Sequence, residues 1–224
     1  TPLTSSAASD VYKRQGGIPI VRTIKEGLAT NKITKVYGIL NGTCNYILSQ
    51  MEKTKDSFKN VLKNAQKLGY AEPGNPKLDL NGYDALAKVK ILSALAFNCK
   101  ISKSQSLMEG IEKIEATDFD IVEKLNLRIK LLGITEIINN KIFERVHPCL
   151  VSRDSYIGNV TDVMNAVILE GKPVGESVMQ GEGAGPGPTT SALMSDLLSI
   201  LRGNIKFPFG ISNKKRNLSI SYNY

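Results

Sequence analysis

"LNLRIKLLGITEIINNKIFERVHPCLV", residues 125–151, alternates apolar and polar side chains on both sides of a paired Asn139-Asn140. A period of two belongs to a half-buried strand, and adjacent asparagines accept the left-handed backbone that a tight hairpin turn requires. The stretch reads as two antiparallel strands. A second hairpin is expected in "VMNAVILEGKPVGESVMQ" (163–180), with Glu170-Gly171-Lys172 at its tip.

Upstream the period changes. "GGIPIVRTIKEGLATNK" (16–32) carries apolar residues at 20, 21, 24 and 28, a helical stripe. "ITKVYGILNG" (33–42) alternates like one strand and ends at Asn41-Gly42, after which Thr43 is expected to cap a helix in "CNYILSQMEK". Asp56 or Ser57 starts another helix, which Gly69 stops. A longer helix follows in "GYDALAKVKILSALAFNCK" (82–100), with Ala85, Val89, Leu92 and Phe97 facing inward, then a short one near 118–125. "GEGAGPGPTT" (181–190) is a glycine loop before an amphipathic helix, and "RNLSISYNY" (216–224) reads as the start of a further strand. Helices first and antiparallel strands later argue for an α+β fold, with helices packed on a mixed or antiparallel sheet.

Composition narrows the function classes. The net charge is +8, yet lysines outnumber arginines 22 to 7 and no basic stripe is interleaved with aromatic residues, so nucleic acid is not the expected partner. No apolar run reaches the length of a membrane span, so no membrane is expected either. Cys44, Cys99 and Cys149 are widely spaced and match neither a disulfide framework nor zinc-ligand spacing, which suits a reducing, cytoplasmic setting. His147 is the only histidine and reads as structural. "TPLTSSAASDVYKRQ" (1–15) has no apolar signal-peptide core and looks foreign to the rest of the chain, so residues 1–15 are set aside.

The chemistry gathers in "YAEPGNPKLDLNGYDALAK" (70–88), where Glu72, Asp79, Asp84 and Lys88 surround a Pro/Gly-rich loop just before a helix. Asp84 and Lys88 stand at i and i+4, so their side chains share one helix face. A solvated ion pair accounts for that spacing, a turn or cap residue accounts for Asp79, and simple exposure accounts for Glu72.

The whole string decides between these readings. Ala65, Gly69-Tyr70-Ala71, Asn75-Pro76, Asp79-Leu80, Gly82, Asp84 and Lys88 together resemble the homoserine dehydrogenase signature at every fixed position. "GGIPI" (16–20), "VYGILNGTCNYIL" (36–48), "VHPCLV" (146–151), "NVTDVMNAVILEG" (159–171) and "GEGAGPGPTTSALMSDLL" (181–198) resemble that family too, in its order.

The resemblance implies the family's catalytic-domain fold and its reaction, the NAD- or NADP-dependent interconversion of L-homoserine and L-aspartate 4-semialdehyde in threonine, methionine and isoleucine biosynthesis. It implies that Lys88 moves the proton, that Glu72, Asp84 and Asp79 bind substrate, and that Gly69 and Gly185 approach the cofactor. It also implies a homodimer or tetramer, and a monovalent cation such as Na+ on the backbone carbonyls of Gly16 and Ile18. On this reading, residues 16–180 form a substrate-binding and dimerisation domain. Residues 181–205 return to a nucleotide-binding domain, and 206–224 form a tail leading toward a regulatory domain. The family's Rossmann domain has no counterpart in this sequence, so the chain alone is expected not to turn over. A catalytically inactive amino-acid-binding or oligomerisation module derived from that family is the rival expectation.

Overall fold

The computed structural model describes residues 17–74, 76–101 and 106–203, together with the backbone of residues 219–220. A short helix α1 (Ile20–Arg22) runs directly into a π-helical turn, Thr23–Gly27, then strand β1 (Lys32–Ile39). Helices α2 (Gly42–Thr54), α3 (Phe58–Lys67), α4 (Lys77–Leu80) and α5 (Tyr83–Ala96) come next. After strand β2 (Leu107–Met108) and helix α6 (Ala116–Lys124) come β3 (Leu127–Ile138), β4 (Lys141–Ser152), β5 (Met164–Lys172) and β6 (Gly175–Glu182). Helix α7 (Pro186–Leu201) and strand β7 (Ser219–Ile220) complete the order.

The strands form one sheet in the order β2-β4-β3-β1-β5-β6, with β7 also on β4. The four long neighbour pairs are antiparallel, whereas β2 and β7 run parallel to β4, so the fold is α+β with helices on a mixed sheet. The long hairpin keeps register from Leu127↔Ser152 to Ile138↔Lys141. Asn139 and Asn140 turn it with φ of 50° and 61°, the left-handed pair that the right-handed strand twist favours. The second hairpin turns later than expected: β5 continues to Lys172, and Pro173-Val174 form the tip. Pro173 has no N–H to give a ladder, and Gly175 supplies the positive φ, so pairing resumes only there.

Alternation then sorts the two faces. Val36, Ile129, Leu131, Ile142, Val146, Val167 and Leu169 meet Ile47, Leu48 and Met51 of α2 and Ala85, Val89 and Leu92 of α5 in the main core. On the outer face Ile39, Leu132, Ile134, Ala166 and Ile168 pack with Ile157 and Val160 from the segment after β4. Glu52 of α2 ties that segment down by accepting from both Arg128 and Arg153.

Helix ends obey local chemistry. Ser57 caps α3 through Asn60 N, and Gly69, at φ +79°, ends it. Asp56 is not the cap but binds the Ser57 N–H and the Asn60 side chain. Thr43 does not cap α2. Strand pairing carries the extended backbone past Ile39, so Asn41 becomes the cap and its side chain accepts from Cys44 N at 2.9 Å. The last helix forms over Pro186–Leu201, but none of its residues is buried. No helix among the described residues is long and apolar enough to cross a membrane.

Candidate active site

The end of β1 is the seat of the site. Gly133 on the neighbouring strand leaves the space that Leu40 and Val89 fill. Leu40 is buried there, and its carbonyl accepts a hydrogen bond from Lys88 Nζ at 2.8 Å. Lys88 also donates to Asp84 Oδ2 at 2.7 Å, the helical pairing expected from the spacing. Side-chain exposure of 18% for Lys88 and 33% for Asp84 separates this pair from a fully solvated one.

Asn41, which the sequence offers only as half of a turn dipeptide, links the remaining acids. Its Nδ2 donates to Asp79 Oδ1 at 2.9 Å and to Asp84 Oδ2 at 3.2 Å. Asp79 lies inside the short helix α4 rather than before a helix, because Pro76 starts that turn. Burial raises the Asp79 carboxyl above the usual carboxylate range. The Asn41 hydrogen bond opposes that rise, Asp84 adds to it, Lys88 opposes it, and Glu72 adds a little more. Beneath them Cys44 donates its thiol to the Asp79 carbonyl at 3.3 Å, and burial pushes that thiol up.

Glu72 sits exposed on the loop, and its carbonyl accepts from Gln66 Nε2 at 3.0 Å. Its carboxylate is near enough to act on Asp79, so the cluster has a negative rim around one ammonium. Thr43, freed from capping, fixes the same loop by donating to the Tyr70 carbonyl at 2.8 Å. Gly69 begins the loop, and the space where a Cβ would stand is open.

The glycine segment comes close through one side chain. Asn165 packs against both Gly42, the first residue of α2, and Gly183. Gly185, with φ +125°, is the N-cap of α7. Pro186 and Pro188 have no N–H, so Gly187 is the single donor among the first three helical residues, and this end is a poorer anion cradle than its glycines suggest. The space where a Cβ would stand is open at Gly187, whereas at Gly185 it would touch Pro188 Cδ at 3.6 Å.

Ile18 is buried beside the same segment. Gly17 N donates to the Glu182 carbonyl at 3.2 Å, and the Ile18 carbonyl accepts from Ile20 N at 2.8 Å. Gly16 lies outside the described residues. Of the two carbonyls expected to hold Na+, only that of Ile18 therefore lies among the described residues. No cluster of three or more His, Cys, Asp or Glu among the described residues can hold a metal ion. His147 contacts the Pro148 carbonyl and Cys149, away from the acids.

Comparison with known proteins gives one family. The homoserine dehydrogenase family model matches residues 19–198. A Helicobacter pylori homoserine dehydrogenase is 44% identical over 201 residues, covering 90% of this chain and 48% of that protein. A Neisseria gonorrhoeae homoserine dehydrogenase is 46% identical over 187 residues, covering 84% and 43%. The crystal structure of a Thiobacillus denitrificans homoserine dehydrogenase superposes with a TM-score of 0.87 at 40% identity, covering 92% of this chain and 49% of that one. A hyperthermophilic archaeal homoserine dehydrogenase mutant in complex with NADPH shares the fold, with a TM-score of 0.70 at 24% identity. The chain spans about half the length of the curated relatives it matches.

Proposed function

This chain belongs to the homoserine dehydrogenase family, and on that premise we propose that it is the substrate-binding part of an NAD- or NADP-dependent enzyme interconverting L-homoserine and L-aspartate 4-semialdehyde. The observation carrying the reading is the Asp79–Asn41–Asp84–Lys88 chain of contacts at the head of α5. The amino acid brings an ammonium, a carboxylate and a reacting oxygen. Glu72 and Asp79 suit the ammonium, and Lys88 suits the oxygen that becomes an alkoxide. A lysine ammonium has three donors, and two of Lys88's are committed to Asp84 and the Leu40 carbonyl. The third remains for substrate. In aldehyde reduction Lys88 gives a proton to the forming alkoxide, and in homoserine oxidation the hydroxyl proton returns by the same route. The nicotinamide supplies or accepts the hydride. Gly69 and Gly185 are the two backbone positions against which we place the cofactor.

Residues 16–180 serve in this reading as the substrate-binding and dimerisation domain of a cytoplasmic homodimer. Residues 181–205 lead to the nucleotide-binding domain, whose surface we expect to cover the apolar side of α7. Leu197, Leu198, Ile200 and Leu201 give that face its character.

The test is steady-state oxidation of homoserine by the complete enzyme, with a nucleotide-binding domain in frame ahead of residue 16. Lys88→Ala is expected to lower kcat by roughly 10²–10⁴-fold. Glu72→Ala is expected to raise KM, because an ammonium contact acts in the ground state as well. Near-parental kcat in a Lys88→Ala enzyme with the parental circular-dichroism spectrum would remove Lys88 from the mechanism.

A further inference from the structure

Asn41 stands where β1 becomes α2, and it is buried with both ends of its amide in use. Oδ1 accepts from Cys44 N, while Nδ2 donates to Asp79 and Asp84. The opposite amide orientation would set its oxygen against two carboxylates and its NH2 against an N–H, so the surroundings fix which way it points. Helix capping alone needs only Oδ1. The Nδ2 contacts are a second task.

We propose that Asn41 is the positioning residue of this site, holding Asp79 and Asp84 on the two N–H groups of one amide and thereby fixing the oxygen to which Lys88 is paired. Asp84 Oδ2 is the shared atom, accepting from Asn41 and from Lys88. A shift of Asn41 therefore moves Lys88's partner, although Asn41 itself reaches no proton-transfer atom. The kinetic part of this proposal rests on the reading of Lys88 given above; the electrostatic part does not.

Asp79 reports the effect. Asp84 and Lys88 face it from α5, Glu72 from the loop and the Cys44 thiol from α2. Asn41's donor favours the ionised form against burial and two neighbouring carboxylates. Loss of that donor moves the Asp79 titration to higher pH.

Asn41→Ser separates the two tasks, since serine is also a good N-cap but carries no amide to span two acids. The first measurement is a carboxyl 13C NMR titration of Asp79 in this chain, which needs no turnover. The expected result is an upward shift of the Asp79 midpoint in Asn41→Ser, with parental α-helix content. Should Asn41→Ser fail to fold, Asn41→Thr keeps a cap acceptor and adds no charge while deleting the amide donors, and the same upward shift is expected. The second measurement is kcat/KM against pH in the complete enzyme. There Asn41→Ser is expected to lose about 10²-fold in kcat, the scale of a misplaced catalytic group, with the acidic limb displaced to higher pH. A parental Asp79 midpoint in a folded variant overturns the proposal and leaves Asn41 as a cap. Absence of homoserine oxidation in the parent enzyme would instead remove the assigned activity and leave the titration result standing.

Discussion

Replacing Lys130 by methionine isolates the energetic consequence of a lysine sealed in the sheet. Lys130 is 1% exposed, with Nζ donating to Asn45 Oδ1 at 3.1 Å and to the Val160 carbonyl. Burial pushes its ammonium down to about 8 from 10.5; Glu52 opposes that, Arg128 reinforces it, and Asp162 opposes it. The folded state thus binds this proton less tightly than the unfolded chain. Stability is fully penalised below the folded value, and it recovers as pH rises from about 8 toward the unfolded value near 10.5. At about 1.4 kcal/mol per pH unit, the whole recovery is about 3 kcal/mol. Methionine removes this dependence. It also leaves Asn45 Oδ1 without its donor, a pH-independent loss of about 1–3 kcal/mol.

The quantity to measure is therefore the difference in unfolding free energy between parent and Lys130→Met, from urea titrations at about pH 7 and about pH 10. Cavity, orphaned-acceptor and unrelated titration effects cancel between the two conditions. Parent stability is expected to rise relative to the variant by roughly 2–3 kcal/mol between them. Parallel stabilities across that range would refute the reasoning, because they would mean the ammonium is as well solvated inside the fold as in water.

Gly133→Ala would bring a Cβ within 2.6 Å of Val89 Cγ2 and 2.7 Å of Leu40 Cδ1, so a loss of about 1–3 kcal/mol in urea-measured stability is expected, with lower kcat in the complete enzyme because the Leu40 carbonyl holds Lys88. Sedimentation of the complete enzyme at about micromolar concentration is expected to show a dimer built on residues 125–180, and a monomer alone would count against that assembly.

Much of the fold was open to inspection residue by residue. Asn139-Asn140 between two alternating runs leaves one economical backbone path, and the hairpin lies there. Gly69 and Ser57 mark their helix ends through local conformational preference, which needs no tertiary partner. Asp84 and Lys88 meet because helical geometry brings i and i+4 together wherever the helix sits. Likewise, the residues resembling the homoserine dehydrogenase signature point to their family as a linear string, and the family match agrees.

Tertiary structure decided what depends on where segments stop and on what covers them. Asn41 and Thr43 are both competent caps, and the choice fell to Asn41 because pairing of β1 with β3 and β5 sets where extended backbone ends. The Leu40 carbonyl became a lysine acceptor because Gly133, distant in sequence, leaves room for the Leu40 side chain. Alternation placed Lys130 on one face of β3, but only the folding of residues 153–163 over that face took it out of water. Propensities act over a few residues and can be read along the chain. Burial and hydrogen-bond partnership between distant segments belong to the packed molecule, and they fix the electrostatics of Asp79 and Lys130.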